Sequence, residues 1–415
     1  MSASVAGRPA VVDDRSPALV RRFVRLTGLV AAASFVFGAT YVVELLDRGF
    51  SPTVVSTAFF CALAASTVLE VVSGDWGDRF GQRRMAVGGL VLWGAGLVVF
   101  GISHSFGLLV VALVLWALGQ ATYSGAPTAL IVNAIPPGDA ARRRAAVRWG
   151  QTARFAGAVV AGVLVLLRPP GLSPAGLIVA AGCALLVLAG YVRLRLPYVR
   201  ADAPLPGRLT ARIGRAWSGR LDALLTLCVV NAGLLSVFLF AWQPVATTVI
   251  GLGGRWLGAL LSGLTALAAL GAWAARFTVE HHRVRDLDLY LGTAVTAVAL
   301  AVMGTSAVAA WTAFVTVEVA AGYVVAVAAT RAHAEFPDAS RNVLWSMFSA
   351  AMGTSMAVAD LALGLVWDRV GLAVALGLVV PAESAIGAAL GVVLRRRSRR
   401  SPAGQSSVAG RERER

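Results

Sequence analysis

Long apolar runs alternate with short polar connectors along most of the chain, and this alternation limits the possible folds more than any other feature. Hydrophobic side chains occupy 58% of the 415 positions, whereas charged side chains occupy only 14%. A soluble domain has too little interior to hide so much apolar surface. The sequence therefore predicts an all-α, polytopic membrane protein.

Twelve of the runs can cross a membrane, because a transmembrane helix needs about 20 mainly apolar residues. They form two sets of six, separated by a long basic connector that contains several prolines. The first set is predicted over 24–46, 53–73, 85–103, 107–130, 149–167 and 173–196. The second set is predicted over 222–243, 254–275, 288–305, 308–330, 342–365 and 372–394.

The basic residues predict the orientation of these helices. All 37 are arginines and give a formal net charge of +16, yet they collect in alternate connectors rather than on one soluble surface. We therefore exclude a nucleic-acid partner. Since cytoplasmic loops carry an excess of arginine, we expect both termini in the cytoplasm and the protein in a bacterial inner (plasma) membrane. The opposite side carries only single arginines, at Arg48, Arg168, Arg255 and Arg369.

This topology divides the chain into five predicted segments. A six-helix half lies on either side of a cytoplasmic central loop, and a polar segment lies at each terminus. We expect the last segment, rich in Ser, Arg and Gly, to be disordered. The segments are 1–22, 23–196 (first half), 197–221 (central loop), 222–394 (second half) and 395–415 (tail).

The connector between the second and third runs has the highest density of charge. It reads Gly74-Asp75-Trp76-Gly77-Asp78-Arg79-Phe80-Gly81-Gln82-Arg83-Arg84. Charges at this density cannot lie in hydrocarbon, and its glycines permit sharp turns. We expect a tight loop at the membrane surface. A generic basic turn would satisfy the same constraints.

This connector resembles the signature of the major facilitator superfamily (MFS), a Gly-x-x-x-Asp-Arg-x-Gly-Arg-Arg pattern between membrane helices 2 and 3. Six residues match it, with Gln82 as a spacer: Gly74, Asp78, Arg79, Gly81, Arg83 and Arg84. The resemblance implies twelve transmembrane helices in two pseudo-symmetric halves that rock about a midplane cavity. It also implies that the six residues form a conformational latch, with Asp78 and its arginines stabilising the outward-open state.

In the same family the first, fourth, seventh and tenth helices line the cavity, which makes Glu318 the leading candidate site residue. It lies near the middle of the tenth predicted helix, where an ionisable group is costly and therefore suggests a function. We expect a protonatable or cation-binding carboxyl group. A permanently protonated group bonded to a neighbouring helix is the alternative.

Five other residues are candidates for binding substrate or protons. Gln120, Tyr123 and Asn231 are polar groups on predicted cavity helices. Arg154 could pair with an anion or only anchor its helix at the interface. Glu44 could gate the outer mouth or be an ordinary interfacial charge.

Glu70 stands just before the signature connector and is expected to join the network of Arg79 to Arg84.

Two departures from the family pattern affect coupling. Proton-coupled members often hold an arginine in the fourth helix, where Trp116 and Gln120 stand here. Drug–proton antiporters carry a Gly-Pro element in the fifth helix, and no proline lies between Arg154 and Arg168.

The sequence therefore predicts a secondary active transporter that works by alternating access and exports a small hydrophobic compound or drug. Proton antiport is left open, and uptake of a nutrient or metabolite is the alternative. A membrane sensor or enzyme that does not transport is a second alternative, but no catalytic pair stands out. We expect no enzymatic activity.

The expected partners are a small-molecule substrate and the lipid bilayer, with protons left open and the chain a monomer. We expect no cofactor and no metal, since His281 and His282 are adjacent on a connector and poorly spaced for a site within the membrane. ATP hydrolysis is excluded, because a chain without lysine cannot form a Gly-x-x-x-x-Gly-Lys phosphate loop.

Overall fold

The computed structural model describes residues 16–135, 139–197, 219–280, 286–335 and 341–400, and the regular structure in these ranges is entirely helical. The helices are α1 (Ser16–Gly38), α2 (Tyr41–Asp47), α3 (Pro52–Phe80), α4 (Gln82–Ile102), α5 (Phe106–Tyr123), α6 (Ala126–Ala134), α7 (Ala140–Leu166), α8 (Pro174–Arg195), α9 (Gly219–Thr248), α10 (Trp256–Glu280), α11 (Asp286–Val302), α12 (Ala307–Glu335), α13 (Arg341–Val370) and α14 (Leu372–Arg400).

These helices confirm the twelve predicted membrane segments. Two segments are interrupted, so that α1 continues into α2 and α5 into α6. Eleven segments in the described ranges are long and apolar enough to cross a membrane. The ninth, Leu289–Val302, is shorter but also apolar, and it coincides with the predicted run 288–305.

The helices pack as two sets of six with the same internal arrangement. In the first set, α4 packs on α5 and α8, and α1 packs on α7. In the second set, α9 packs on α13 and α14, and α12 packs on α10 and α11. The two sets meet mainly along α3 with α13 and along α7 with α10. This is the predicted arrangement of two pseudo-symmetric halves.

The predicted loop over 74–84 differs from the structure. Helix α3 continues to Phe80, and a single residue, Gly81, separates it from α4. Gly81 has φ 86°, a left-handed conformation that glycine adopts without the steric cost of a Cβ atom. The charged residues need no loop, because a helix that extends past the hydrocarbon can carry them in water. Gly81 alone then provides the turn from α3 into α4.

Several predicted segments lie outside the described residues. These include most of the central loop 197–221, the last part of the tail from residue 401 onward, and His281 with His282. Helix α14 ends at Arg400, beyond the predicted end of the last membrane helix at 394.

Candidate binding cavity and the opposite closed end

A cavity of about 480 Å³ lies between the two halves, within the usual range of about 300–1,000 Å³ for small-molecule sites. Parts of five membrane segments line it, drawn from both halves. They are 63–70 of α3, 116–123 of α5 with Ser124 after it, 227–235 of α9, 324–328 of α12 and 348–356 of α13. All lie in the part of the bundle nearer the turn at Gly81, which we call the Gly81 end.

The lining is mainly apolar, with a few polar side chains. Glu70 is the one acidic residue among the described lining residues, and none of them is basic. The side chains of Glu70 and Ser349 are hydrogen-bonded, which links α3 to α13 across the two halves. Gln120 and Asn231 also line the cavity, so the structure places these two predicted residues where a ligand would contact them.

Three polar atoms of the lining are buried and have no hydrogen-bond partner among the described residues. They are Thr67 Oγ1, Trp116 Nε1 and Asn231 Oδ1. An unsatisfied buried polar group costs about 1–3 kcal/mol, so such groups are rare unless something else satisfies them. The side chains line the cavity, but the unpaired atoms themselves are not exposed to the cavity space.

The opposite end of the bundle is closed, and Gln243 of α9 is central to the closure. Its side chain is fully buried. Its Nε2 donates to the carbonyl of Gly38 at 2.7 Å, and its Oε1 accepts from the backbone N–H groups of Val42 at 3.0 Å and Val43 at 3.4 Å. One carboxamide thus satisfies backbone groups where α1 breaks into α2, and joins them to the other half.

Other hydrogen bonds between the halves lie at the same closed end. The Tyr41 hydroxyl donates to the carbonyl of Leu239 at 3.1 Å. Thr53 Oγ1 donates to the carbonyl of Gly364 at 3.4 Å. Ser262 Oγ donates to the carbonyl of Val159 at 3.2 Å, where Gly162 and Gly258 bring α7 and α10 into backbone contact.

Aromatic rings fill the space between this closed end and the cavity, and we call them the aromatic plug: Phe37, Tyr41, Phe59, Phe240 and Trp367. Neighbouring rings lie 4.9–6.4 Å apart between centroids and cross from the first half to the second. Trp116 contacts two of them and also lines the cavity. The aromatic plug therefore separates the cavity from the closed end with packed rings.

Two more carboxyl groups are held inside the second half. Asp360 is only 5% exposed and accepts a hydrogen bond from Ser236 Oγ at 2.7 Å. Glu383 Oε1 lies 2.8 Å from Ser355 Oγ, which is also 2.8 Å from the carbonyl of Val229. Because a hydroxyl has one hydrogen, both contacts are hydrogen bonds at once only when Glu383 carries a proton. These pairs join α9, α13 and α14.

The remaining predicted site residues lie outside the cavity lining. Glu318 is half-buried on α12, beyond the lining residues of that helix. Arg154 is exposed on α7. The ring of Tyr123 packs against Trp93 of α4 at 6.0 Å between centroids, and its hydroxyl is buried with no partner in the described residues.

Glu44 lies at the closed end, in an ion pair with Arg48 at 2.9 Å. Arg48 also donates to the carbonyls of Phe100 and Ser103 at 2.9 Å, which ties α2 to the end of α4. The pair therefore joins elements of the first half. The roles of Glu318, Arg154, Tyr123 and Glu44 in binding stay predictions.

The signature residues can be placed only in part. The surroundings of Gly74 and the side chains of Asp78 and Arg79 lie outside the described part of the structure. Arg83 Nη1 donates to the carbonyl of Leu196 at 3.2 Å, at the C-terminus of α8. Arginine satisfies free carbonyls and the negative helix dipole there. This contact lies within the first half, and the latch role of the six residues stays a prediction.

Two important positions were not identified from the sequence. Glu70 was expected only to join the signature arginines, which stays a prediction, and its place in the cavity lining was not foreseen. Ser66, Thr67 and Glu70 recur on one face of α3, and this helical spacing was a usable signal. Gln243 was not singled out, because nothing in its sequence neighbourhood points to Gly38.

A helical bundle of two similar halves, with a cavity between them that is closed at one end, is the architecture of a membrane transporter. The family model of the Major Facilitator Superfamily matches residues 26–360. The chain belongs to this superfamily, and it is a transporter rather than an enzyme.

Curated relatives are distant. The multidrug resistance protein MdtH of Enterobacter sp. (strain 638) is 25% identical over 268 residues, which is 62% of this chain and 65% of the relative. The uncharacterized MFS-type transporter Rv1877 of Mycobacterium tuberculosis (strain ATCC 25618 / H37Rv) is 31% identical over 149 residues, 32% of this chain and 20% of the relative. The chain thus matches less than two thirds of the length of either.

Solved structures share the fold over nearly the whole chain. A bacterial homolog of the human lysosomal transporter Spinster, in an inward-facing and occupied conformation, has a TM-score of 0.70 at 15% identity and covers 92% of this chain and 97% of its own. The inward-facing and unoccupied conformation of such a homolog has a TM-score of 0.67 at 16% identity, with coverage of 94% and 93%.

Proposed function

We propose that the chain exports small, largely apolar compounds across a bacterial inner membrane, with the Gly81 end in the cytoplasm. The observation that carries this proposal is the asymmetry of the bundle. An apolar cavity lies toward the Gly81 end, while Gln243 and the aromatic plug close the other end. With the arginine-rich connectors in the cytoplasm, this is an inward-facing state that loads from the cytoplasm.

The comparisons support the direction and the state. The Enterobacter relative is named for multidrug resistance, and the two Spinster homolog structures are described as inward-facing. An apolar cavity with few polar groups suits a compound that needs little hydrogen bonding. A sugar would leave many hydroxyl groups without partners in this lining.

Proton antiport is the energy source that we propose for export. Carboxyl groups within membrane spans are the usual carriers of coupling protons, and Glu70, Glu318 and Asp360 lie within the spans of α3, α12 and α13. Glu318 is the leading candidate for the coupling group, acting from outside the cavity lining. Asp78 with its arginines is the proposed latch of the outward-open state.

Inside-out membrane vesicles test this proposal directly. A pH gradient is established and read with a fluorescent dye while lipophilic drugs and sugars are added in turn. We expect drugs, and not sugars, to accumulate in the vesicles and to discharge the gradient. Drug accumulation without discharge would retain export and remove proton antiport. Movement out of the inside-out vesicles would indicate uptake instead.

Two variants make the assay specific. Glu318→Gln should abolish discharge of the gradient by the drug if Glu318 carries the proton. Gln120→Ala should weaken drug transport because Gln120 lines the cavity, whereas Tyr123→Phe, on the same helix but packed against α4, is the matched control. Equal loss in both α5 variants would contradict the assignment of the cavity.

A further inference from the structure

We propose that α1 and α8, at the Gly81 end, bind the head group of an anionic phospholipid through Arg21, Arg22 and Arg25 of α1 and Arg195 of α8. We call these four side chains the α1–α8 arginine patch. The proposal goes beyond the transport function and depends on neither the substrate nor the direction of transport.

One hydrogen bond shows that the four arginines lie together. Arg22 Nη1 donates to the carbonyl of Arg195 at 3.1 Å, so the start of α1 lies beside the end of α8. Arg21 and Arg22 come one helical turn before Arg25, and residues three and four apart on a helix are neighbours. All four residues are exposed. They therefore form one basic surface across the two helices.

This surface has no acidic counterpart in the helices around it. Helices α1 and α8 pack mainly on each other and on α4, α6 and α7, and none of these five helices contains Asp or Glu. Asp139, which caps α7, is paired with Arg142 at 3.4 Å. Like charges at i and i+4 destabilise a helix, so a bound anion would stabilise this end of α1.

Apolar side chains continue from the patch into the membrane on both helices. Leu29 is exposed one helical turn beyond Arg25 on α1. Leu194 and Val187 are exposed on α8, next to Arg195 and roughly two turns beyond it. A phosphate group at the patch would thus leave acyl chains lying along apolar surface. This combination fits an amphiphile better than a soluble phosphate, which would use only the arginines.

The chemistry of arginine favours a lipid phosphate at this place. A guanidinium presents a planar fork of N–H donors that matches phosphate oxygens, and basic pockets between transmembrane helices on the cytoplasmic side bind anionic head groups. The bond from Arg22 to Arg195 holds one such fork at the end of α8. A zwitterionic lipid also brings an ammonium group, which the arginines would repel. We therefore expect selectivity for anionic lipid.

A fluorescent label beside the patch tests the proposal. Bimane is attached at Leu194→Cys in full-length protein whose native cysteines, Cys61, Cys183 and Cys228, are replaced with alanine. The protein is placed in phosphatidylcholine nanodiscs with rising fractions of phosphatidylglycerol or phosphatidylcholine that carries brominated, quenching acyl chains. Phosphatidylglycerol should half-quench at a mole fraction at least about tenfold lower, which corresponds to about 1.4 kcal/mol.

Variants assign this selectivity to the patch. The pair Arg22→Gln with Arg25→Gln should reduce the selectivity to less than about threefold, because each arginine near the surface adds attraction for anionic lipid. Arg25→Gln alone should also reduce it. Arg25 makes no hydrogen bond or ion pair within the described residues, so its effect reports charge rather than the bond between α1 and α8.

A second pair of arginines is the matched control. Arg144 and Arg148 are exposed near the start of α7. They lie about 120° and about 160° around that helix from Gly150, which contacts Phe23 of α1. Arg144→Gln with Arg148→Gln removes the same charge from the same half but on a surface that points away from α1. It should leave the selectivity unchanged.

Three results would overturn the proposal. Equal quenching by the two brominated lipids in the parent protein does so whether or not any variant folds. An equal loss of selectivity in the control pair would show that net charge, and not the patch, attracts the lipid. Glycerol 3-phosphate carries the phosphate without acyl chains and should not relieve the quenching. Relief would assign the patch to soluble phosphate.

Discussion

Two carboxamides on the same helix, Gln243 and Asn231, show how the two ends of the bundle differ. Gln243, at the closed end, uses both its donor and its acceptor to hold backbone groups of the opposite half. Asn231, in the cavity, is almost as deeply buried, yet its Oδ1 has no partner in the described residues. The closed end satisfies the polar groups of Gln243 internally, whereas Asn231 in the cavity wall keeps an acceptor without a described partner.

The closed end also shows why this state can be reversed. Its hydrogen bonds between the halves are made by neutral groups, and each is worth about 0.5–1.5 kcal/mol net. The aromatic plug adds contacts of about 0.5–1.5 kcal/mol per ring pair. Among the described residues, these contacts hold the end closed without a charge pair between the halves, which would be costly to separate if buried.

Five changes test this comparison, and four are read with one assay. For this assay, every protein carries a reporter cysteine at position 56 of α3 (Ser56→Cys). Ser56 is fully buried against Gly364 at the closed end. The native cysteines, Cys61, Cys183 and Cys228, are replaced with alanine. Opening of the closed end is measured as the rate at which a membrane-impermeant maleimide, applied from that side, labels the reporter cysteine.

The largest effect is expected from Gln243→Leu. It leaves the carbonyl of Gly38 and the N–H of Val42 without their side-chain partner, and each unsatisfied group costs about 1–3 kcal/mol. Labelling should rise at least about tenfold. Thr248→Val is the matched control, because Thr248 bonds only to Pro244 of its own helix. Equal labelling in both variants would show that Gln243 does not hold the end closed.

Gly258→Ala should also open the closed end, by steric means. A Cβ atom there would meet the carbonyl of Gly162 and come within 2.7 Å of the Leu166 nitrogen. Overpacking costs about 1–3 kcal/mol, so we expect labelling to rise severalfold. Gly263→Ala, on the same helix, has open space around its Cβ position and should label like the parent protein.

Asp78→Asn should act in the opposite direction if the signature residues stabilise the outward-open state. Weakening that state leaves the closed end closed for more of the time, so both labelling and drug transport should fall severalfold. The amount of folded protein in the membrane should be unchanged. Normal transport by Asp78→Asn would remove the latch assignment.

Asn231→Leu tests the cavity side of the comparison through stability. Because Asn231 Oδ1 is unpaired, replacing it with an apolar side chain of similar size should not lower the melting temperature, and removes a group that costs about 1–3 kcal/mol. Gln243→Leu should lower it. Thermal unfolding in detergent, measured without ligand, should therefore separate the two carboxamides. Similar losses in both variants would contradict an unpaired Asn231.

The smallest effect is expected from Tyr41→Phe. It keeps the ring in the aromatic plug and removes only the hydrogen bond to Leu239. A single neutral hydrogen bond contributes about 1 kcal/mol, so labelling should rise a few-fold at most. A change as large as that of Gln243→Leu would mean that the Tyr41 hydroxyl has a role beyond this one bond.

The sequence predicted a lining residue of the cavity only where membership of a particular helix was enough to place that residue. Gln120 and Asn231, predicted as polar residues on the helices that line the cavity in the family, do line the cavity, and their role in binding stays a prediction. The contact of Glu70 with Ser349, which is distant in the chain, was not predicted. Tyr123 was expected to face a ligand, but close packing at Gly89 turns it toward α4.

The sequence alone determined the class of the protein, the twelve membrane segments and their division into two halves. Those properties depend on the free energy of transferring each segment from water to lipid and on the positions of the arginines in the connectors. Both can be read from the local sequence. Only the tertiary structure decided which polar groups face the cavity and which end is closed. Those depend on helix rotation and on pairs such as Gly38 with Gln243, which no local pattern connects.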